Sequence, residues 1–401
     1  MTRPDSLLTE TFTKGCNNET NPYGFTFEQW QAKARETLPA NSWGYVFGSA
    51  GDSYTDGRDV KAFKKWLFVP RRLVPIDQCD IVPKYKVLGQ NVPSPIAIAP
   101  VGVNTIFHRD GEHATAAAAK EVGVTYTMSS ATSTSIEEVV KANGDGHRFF
   151  QLYWPPNERN DVTASILRRV KAAGFTALVV TLDTFVLGYR PADLAHGYNP
   201  FILPNETGCG LGMSDPVFRE TFKQKHGKTI EEDMQTAAQE WTKTLFSGKG
   251  HSWEDLKFLR EHWDGPIVLK GVMDVEDAKL AVKYGLDGIV VSSHGGRQVN
   301  DSVSSLEVLP EIVDAVGDKL DVLFDSGVRS GTDIAKALAL GAKMVLIGRP
   351  WVYGLSFGGK EGVKHVLRCL LADLELSMRL SGIGSVEKDE LNRDRLREDK
   401  W

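Results

Sequence analysis

The chain is poor in several features that would narrow its function at once. Its 401 residues include only four cysteines, Cys16, Cys79, Cys209 and Cys369, far apart and without a CxxC pair. That excludes a disulfide framework and a cysteine-based zinc site, and the expectation is reduced thiols in a cytoplasmic protein. No stretch approaches the roughly 18 consecutive apolar residues of a membrane span. The start, MTRPDSLLTETFTKG, lacks the apolar core of a secretory signal. Asp5 and Glu10 in it argue against an organelle transit peptide, and the final EDKW is not the SKL-type peroxisomal address, so a peroxisomal location is less favoured. An excess of positive charge is also missing, with 47 Lys+Arg against 52 Asp+Glu and a net charge of -5. Neither nucleic acid nor an anionic membrane is an expected partner, because both call for a basic face. A small molecule is the default.

What is present is a large core. With 41% apolar and 25% charged residues the chain reads as globular. From about residue 93 onward, short apolar runs recur: PIAIAP (95–100), VTYTMSS (124–130), RFFQLY (148–153), ALVVTLD (177–183), PIVLKG (266–271), GIVVSSH (288–294), VLFDSG (322–327) and MVLIGR (344–349). Each is nearly continuous rather than alternating, as parallel strands buried on both faces are. Between them, GEHATAAAAKEVG, VTASILRRVKAAG, DVEDAKLAVKYG and GTDIAKALALG carry apolar residues three and four apart and stop at glycine, which predicts helices. Eight such units imply an α/β fold of the (β/α)8 or TIM-barrel class, whereas a doubly wound open sheet usually has five or six strands.

The organisation is that of a single domain over 1–401, with an N-terminal helical cap (1–92), the barrel (93–381) and an insertion or lid (192–252). In the cap, TFEQWQAKARETL and RDVKAFKKW read as helices flanking a loop, GYVFGSAGDSY. The insertion lies in a gap of about 80 residues after ALVVTLD that contains HGYNPFILPNETGCGLGMSDPVF. Long loops above a barrel strand usually cover or shape a site.

Chemistry in a barrel gathers at the C-terminal strand ends. Those ends carry Ser129 and Ser130, Gln151 and Tyr153, Thr181 and Asp183 with Arg190 just beyond, Lys270, His294 and Arg297, Asp325 and Arg329, and Gly348 and Arg349. Singly, each has a bland explanation as a helix cap or a solvated charge. Together, seven of eight ends offering polar groups to one rim are hard to obtain from capping alone. FDSGVRSGTD and IGRPWVYG set Gly327, Arg329, Gly348 and Arg349 beside helix starts, where barrels commonly bind phosphate; tight turns with solvated arginines are the alternative. His294 follows a buried strand, and imidazole is suited to proton abstraction near neutral pH. Asp183 could stabilise its imidazolium form, and Arg190 and Arg297 could clamp a carboxylate.

At SSHGGRQ, FDSGVRSGTDIAKALALGA and IGRPWVYGL the sequence resembles the FMN-dependent 2-hydroxy acid oxidases and dehydrogenases, over nearly the whole chain from TFEQWQAKARETLP onward. VTLDTFVLGYRPADL with NPF and SDPVF looks most like the lactate 2-monooxygenase branch, and glycolate and lactate oxidases are also similar. The resemblance implies oxidation of a small (S)-2-hydroxy acid such as L-lactate by O2, followed either by release of H2O2 and the 2-oxo acid or by decarboxylation of that product. It implies FMN as cofactor and a homotetramer or octamer. His294 would be the base, Asp183 its partner, and Tyr153 and Arg297 would complete the catalytic set. Tyr45, Tyr153, Arg190 and Arg297 would hold the substrate carboxylate. Lys270 would sit near flavin N1 and O2, with Gly102, Ser129, Gln151, Thr181 and Ser292 lining the ring. Asp325 would take the ribityl chain, and Gly327, Arg329, Gly348 and Arg349 the phosphate.

The chain departs from the family's wording at three places. Ser293 stands where asparagine is usual; Ala131 replaces a bulkier residue beside the substrate side chain, leaving room for a larger substrate; and Phe185 and Tyr189 replace tryptophans. No haem domain precedes the barrel, so O2 is the expected electron acceptor. A flavin-free isomerase or lyase that uses the phosphate site for its substrate, and a non-catalytic binding barrel, are the competing expectations. The first would give a colourless protein, and the second has no use for His294, Asp183, Arg190 and Arg297 together.

Overall fold

A computed structural model describes residues 5–203 and 207–399. The terminal signals read at the two ends of the sequence, and residues 204–206 of the insertion, lie wholly or partly outside the described residues. Eight parallel strands, β2 (Ile96–Ile98), β3 (Thr125–Ser129), β4 (Arg148–Tyr153), β5 (Leu178–Thr181), β6 (Ile267–Val272), β7 (Gly288–Val291), β8 (Asp321–Phe324) and β9 (Met344–Ile347), close into a barrel in sequence order. β9 pairs back onto β2 through Ile96–Val345 and Ile98–Ile347. Each strand lies on one of the eight apolar runs, β6 and β8 extending one residue beyond theirs, and the fold is the (β/α)8 barrel that those runs predict. A further strand, β1 (Trp66–Phe68), pairs antiparallel with β10 (Leu396–Glu398) outside it.

The four glycine-terminated segments form helices Gly111–Val122, Asn160–Ala172, Val275–Lys283 and Gly331–Ala339. The first ends where Gly123 adopts a φ of 77°, a left-handed conformation that favours glycine. Asp333 completes a capping box with Ser330 at the start of the last of these helices. The barrel interior is filled by Ala97, Phe149, Val179, Val268, Val290, Leu323, Met344 and Leu346, packed with Val87, Leu88 and Val92.

One expected loop is helical. GYVF, read as the start of a loop, instead closes helix Ala40–Phe47. Tyr45 and Val46 are buried on it, and Trp43 stacks on Phe47 and on Tyr353 of helix Arg349–Leu380. Tertiary burial of aromatic groups outweighs the weak helix propensity of this glycine-containing stretch. The segment after β5 is mostly helical, with Pro216–His226 and Met234–Leu245 its longest pieces. Among the described residues, no helix is long and apolar enough to cross a membrane.

Candidate active site

Alternation along the strands explains how the barrel acquires a polar mouth. Side chains two residues apart share a face. The inward series that begins with buried Phe149, Val179, Val268, Val290 and Leu323 continues as Gln151, Thr181, Lys270, Ser292 and Asp325. One further step reaches Tyr153 at the end of β4, and the turns after β5 and β7 bring Asp183 and His294 to the same mouth. The same period that fills the barrel with hydrocarbon therefore delivers the chemistry at its upper end.

A cavity with about 950 Å³ of atom-free space, part of it open to solvent, sits there. This is within the range of about 300–1,000 Å³ for small-molecule and cofactor sites. Its wall brings together Tyr45, Gly102, Tyr153, Arg190, Lys270, His294, Arg297, Asp325, Gly327, Arg329, Gly348 and Arg349. Ser129, Gln151, Thr181, Asp183, Ser292 and Ala131 stand outside this wall. The first three form a buried chain just below it, in which Ser129 Oγ donates to Gln151 Oε1 at 2.9 Å and Gln151 Nε2 donates to Thr181 Oγ1 at 3.0 Å. Ala131, expected beside a substrate side chain, is buried behind Gly102, whose absent Cβ would come within 2.4 Å of the Ala131 carbonyl oxygen. Glycine at position 102 stands at the wall and leaves room for Ala131 against it.

His294 Nδ1 lies 2.8 Å from Asp183 Oδ1, and Thr184 Oγ1 donates to that same carboxylate oxygen at 2.7 Å. Burial pushes the Asp183 carboxyl up, but the charge and hydrogen bond of His294, with Lys270, outweigh it and hold the group at about 2. Burial pushes the His294 imidazole below its ordinary value; Lys270 and Arg190 add to this, and Asp183 opposes it. The pair therefore presents an ionised carboxylate behind a neutral imidazole at pH 7, with Nε2 as the basic atom once Nδ1–H faces the carboxylate. The backbone supports this placement. His294 adopts a φ of 57° and donates its N–H to Ser292 Oγ at 3.0 Å, while Gly295 and Gly296 follow at φ 63° and 69°.

Two guanidinium groups flank the imidazole. Arg297 Nη1 donates to the carbonyls of Tyr45 and Gly48, both at 2.6 Å, and its guanidinium lies 4.9 Å from the centre of the Tyr45 ring. Arg190 Nε donates to the Arg297 carbonyl at 3.1 Å. Burial, aided by Arg190, lowers Arg297 to about 10, so it stays cationic at neutral pH. A buried and a half-buried cation with anchored forks make a site for a carboxylate. Deeper in, Lys270 Nζ donates to Ser292 Oγ at 2.8 Å and pairs with Asp325 at 3.1 Å.

The segments after β8 and β9 differ in how free their donors are. Arg349 donates from Nε to Val46 O at 3.0 Å, and from its terminal nitrogens to Asp56, Ser49 and the Gly295 carbonyl. Arg329 lies over the Phe27 ring at 4.3 Å and reaches Asp56 only at 3.4 Å. Gly348 precedes helix Arg349–Leu380, and a Cβ built on it would meet nothing within 4 Å. An open cradle at a helix start beside Arg329 fits a phosphate group, and buried Lys270 fits a ring that becomes anionic on reduction. The residues present thus suit FMN.

Sequence reasoning missed Thr184, the two acidic groups Asp56 and Asp59, and the aromatic wall. Ser293 Oγ donates to Asp59, and Ser293 N–H donates to Ser326 Oγ at 3.2 Å, so the serine ties the histidine loop to the N-terminal cap. Phe201 and Phe246 of the long insertion, with Phe107 and Leu187, give the cavity its apolar side. Phe246 packs against Tyr153 at 5.0 Å, and Phe201 against Tyr45 at 6.2 Å. These contacts join residues far apart in the chain, and no local pattern reports them.

The model of FMN-dependent dehydrogenases matches residues 34–398. The chain is 54% identical over 391 residues to an FMN-dependent alpha-hydroxy acid dehydrogenase of Schizosaccharomyces pombe, covering 98% of this chain and 96% of that one. It is 36% identical over 367 residues to an L-lactate oxidase of Lysinibacillus sphaericus, covering 91% of each. A crystal structure of mandelate oxidase superposes with a TM-score of 0.78 at 32% identity, covering 93% of this chain and 98% of that one. With a family model spanning the barrel and its cap, and relatives matched along almost their full length, the chain belongs to the FMN-dependent dehydrogenase family and is an FMN-dependent 2-hydroxy acid oxidoreductase.

Proposed function

We propose that this enzyme oxidises a small (S)-2-hydroxy acid with an apolar side chain, using O2 as electron acceptor. The observation that carries the reading is the convergence of His294, Arg190 and Arg297 on one cavity, with Asp183 2.8 Å behind the imidazole. Arg190 and Arg297 hold the carboxylate, with the hydroxyl groups of Tyr45 and Tyr153 beside it. His294 Nε2 takes the proton of the C2 hydroxyl, and Asp183 stabilises the imidazolium that results. FMN, when bound, supplies the acceptor for the hydride equivalent from C2 and passes the electrons to O2. Lys270 holds positive charge at the floor of the site, Ser129, Gln151, Thr181, Ser292 and Gly102 shape the bed of the ring, Asp325 takes the ribityl chain, and Gly327, Arg329, Gly348 and Arg349 take the phosphate.

Phe107, Leu187, Phe201 and Phe246 support a substrate side chain that is apolar, L-lactate being the smallest candidate and larger acids fitting the same wall. The insertion also supports a second course. If Phe201 and Phe246 retain the 2-oxo acid, peroxide formed beside it decarboxylates it before release. A panel of 2-hydroxy acids scored for both H2O2 and CO2 tests both readings. Stoichiometric free peroxide with prompt release of the oxo acid rules out decarboxylation, and no turnover of any member refutes the proposal. The same reading takes the enzyme as a cytoplasmic homotetramer or octamer, with residues 1–92 as the cap and 192–252 as the lid. Exposed Phe185, Val186 and Tyr189 on the loop after β5 support self-association, which light scattering measures.

A further inference from the structure

Gln298 ends the SSHGGRQ stretch, and its side chain is outside the cavity wall. Its amide makes four hydrogen bonds, all to the loop that follows β5. Oε1 accepts from Gly188 N–H at 3.2 Å and from Arg190 Nη2 at 2.6 Å. Nε2 donates to the carbonyls of Asp183 at 2.7 Å and Val186 at 2.9 Å. This uses the ordinary bonding capacity of a primary amide, and every bond crosses from the loop bearing His294 and Arg297 to the loop bearing Asp183 and Arg190. The loops are in close backbone contact there, since a Cβ on Gly188 would come within 2.6 Å of the Arg297 carbonyl oxygen.

We propose that Gln298 is a positioning residue that fixes the distance between the proton-accepting pair and the carboxylate clamp. The inference rests on the functional reading above. A 2-hydroxy acid presents its hydroxyl and carboxylate on adjacent carbons, so His294 and Arg190 must be in register to engage both at once. One end of the Gln298 amide sets the Arg190 guanidinium, and the other sets the backbone that carries Asp183. A misplacement of about 1 Å in such an arrangement can cost about 10²-fold in rate.

The test uses Gln298→Met and Gln298→Glu in the FMN-loaded enzyme, with oxalate as probe. Its adjacent carboxylates present both a carboxylate and the C2 oxygen of a deprotonated hydroxy acid, and binding is read from flavin absorbance without turnover. Methionine keeps the length and removes all four bonds; glutamate keeps the acceptors for Gly188 and Arg190 and loses both donors. FMN content is expected to hold in both. Gln298→Met should weaken oxalate at least about 10-fold and lower kcat/KM about 10²-fold. Gln298→Glu turns an acceptor toward the Asp183 and Val186 carbonyls, so it should weaken oxalate measurably but less than methionine does, while its added negative charge moves the acid limb of kcat/KM to higher pH. Unchanged oxalate affinity and pH profile in both variants would overturn the inference. So would parallel losses of FMN and thermal stability with normal oxalate affinity in the molecules that retain flavin. A parent enzyme that neither binds oxalate nor oxidises any 2-hydroxy acid would instead refute the functional reading, and this inference with it.

Discussion

Replacing Asp59 by asparagine should stabilise the enzyme at neutral pH and leave it nearly unchanged in acid. Asp59 is fully buried on helix Tyr54–Ala62, where it accepts hydrogen bonds from Ser293 Oγ and, at 3.2 Å, from Ser305 N–H. Burial raises its pKa from 3.8 to about 6, with Asp56 adding to the rise and bonds from Ser293, Ser304 and Ser305 opposing it. At about 1.4 kcal/mol per pKa unit, holding this group ionised costs the folded state about 3 kcal/mol. The folded protein binds the proton more tightly than the unfolded chain. The cost is therefore absent below pH 3.8, grows as pH rises to about 6 and is constant above that. Asparagine carries no charge to desolvate; its Oδ1 can keep the Ser305 bond while its Nδ2 donates to Ser293 Oγ. Urea unfolding of the FMN-loaded parent and Asp59→Asn at pH 4 and pH 7.5 measures the effect. The expected gain is near zero at the lower pH and approaches about 3 kcal/mol at the higher. A difference of equal size at both values, or a parent more stable than the variant at pH 7.5, would refute the argument.

Other perturbations separate the parts of the site. His294→Ala should keep FMN, seen by absorbance, and lose about 10²–10⁴-fold in kcat; unchanged turnover excludes it as the base. Asp183→Asn removes the charge that pulls the imidazole pKa up, so the acid limb of kcat/KM should move to lower pH as kcat falls. Arg190→Met and Arg297→Met should each raise KM about 10–100-fold at constant FMN content, the loss of one charge-assisted contact. Phe246→Ala should shift kcat/KM toward bulkier hydroxy acids relative to lactate, and a constant ratio across the panel would show that this ring does not limit the side chain.

The barrel was legible because its strands are buried on both faces and read as continuous apolar runs. The strand-end residues were legible because a closed barrel has one rim to which they all lead. The finer rule lay in the same runs but went unused: alternate residues share the interior, so Phe149, Gln151 and Tyr153 form one inward series and Val268 and Lys270 another. Parity along the strand distinguishes residues that face the barrel axis from those that face the helices. It does not reach past the last paired residue, so it says nothing of Ala131, which stands in the turn after β3 and was expected beside the substrate from resemblance alone. Asp59, Gln298 and Thr184 act through contacts between loops, and the partner of a loop residue is set by tertiary closure rather than by its neighbours in sequence. Helix Ala40–Phe47 was missed for a related reason, since the aromatic groups that pay for it belong partly to helix Arg349–Leu380.

The Tyr45–Ser49 segment carries one consequence beyond its place in the cavity wall. Arg297 holds the carbonyls of Tyr45 and Gly48, and Arg349 holds Val46 and Ser49. These five residues have no strand partner of their own and are clasped from below by two arginines that the barrel supplies. Arg297 and Arg349 follow β7 and β9, so the placement of Tyr45 depends on the loops after both strands. A lesion in either loop will therefore be felt twice, once in the residue it displaces and again in a tyrosine some 250 to 300 positions earlier in the chain.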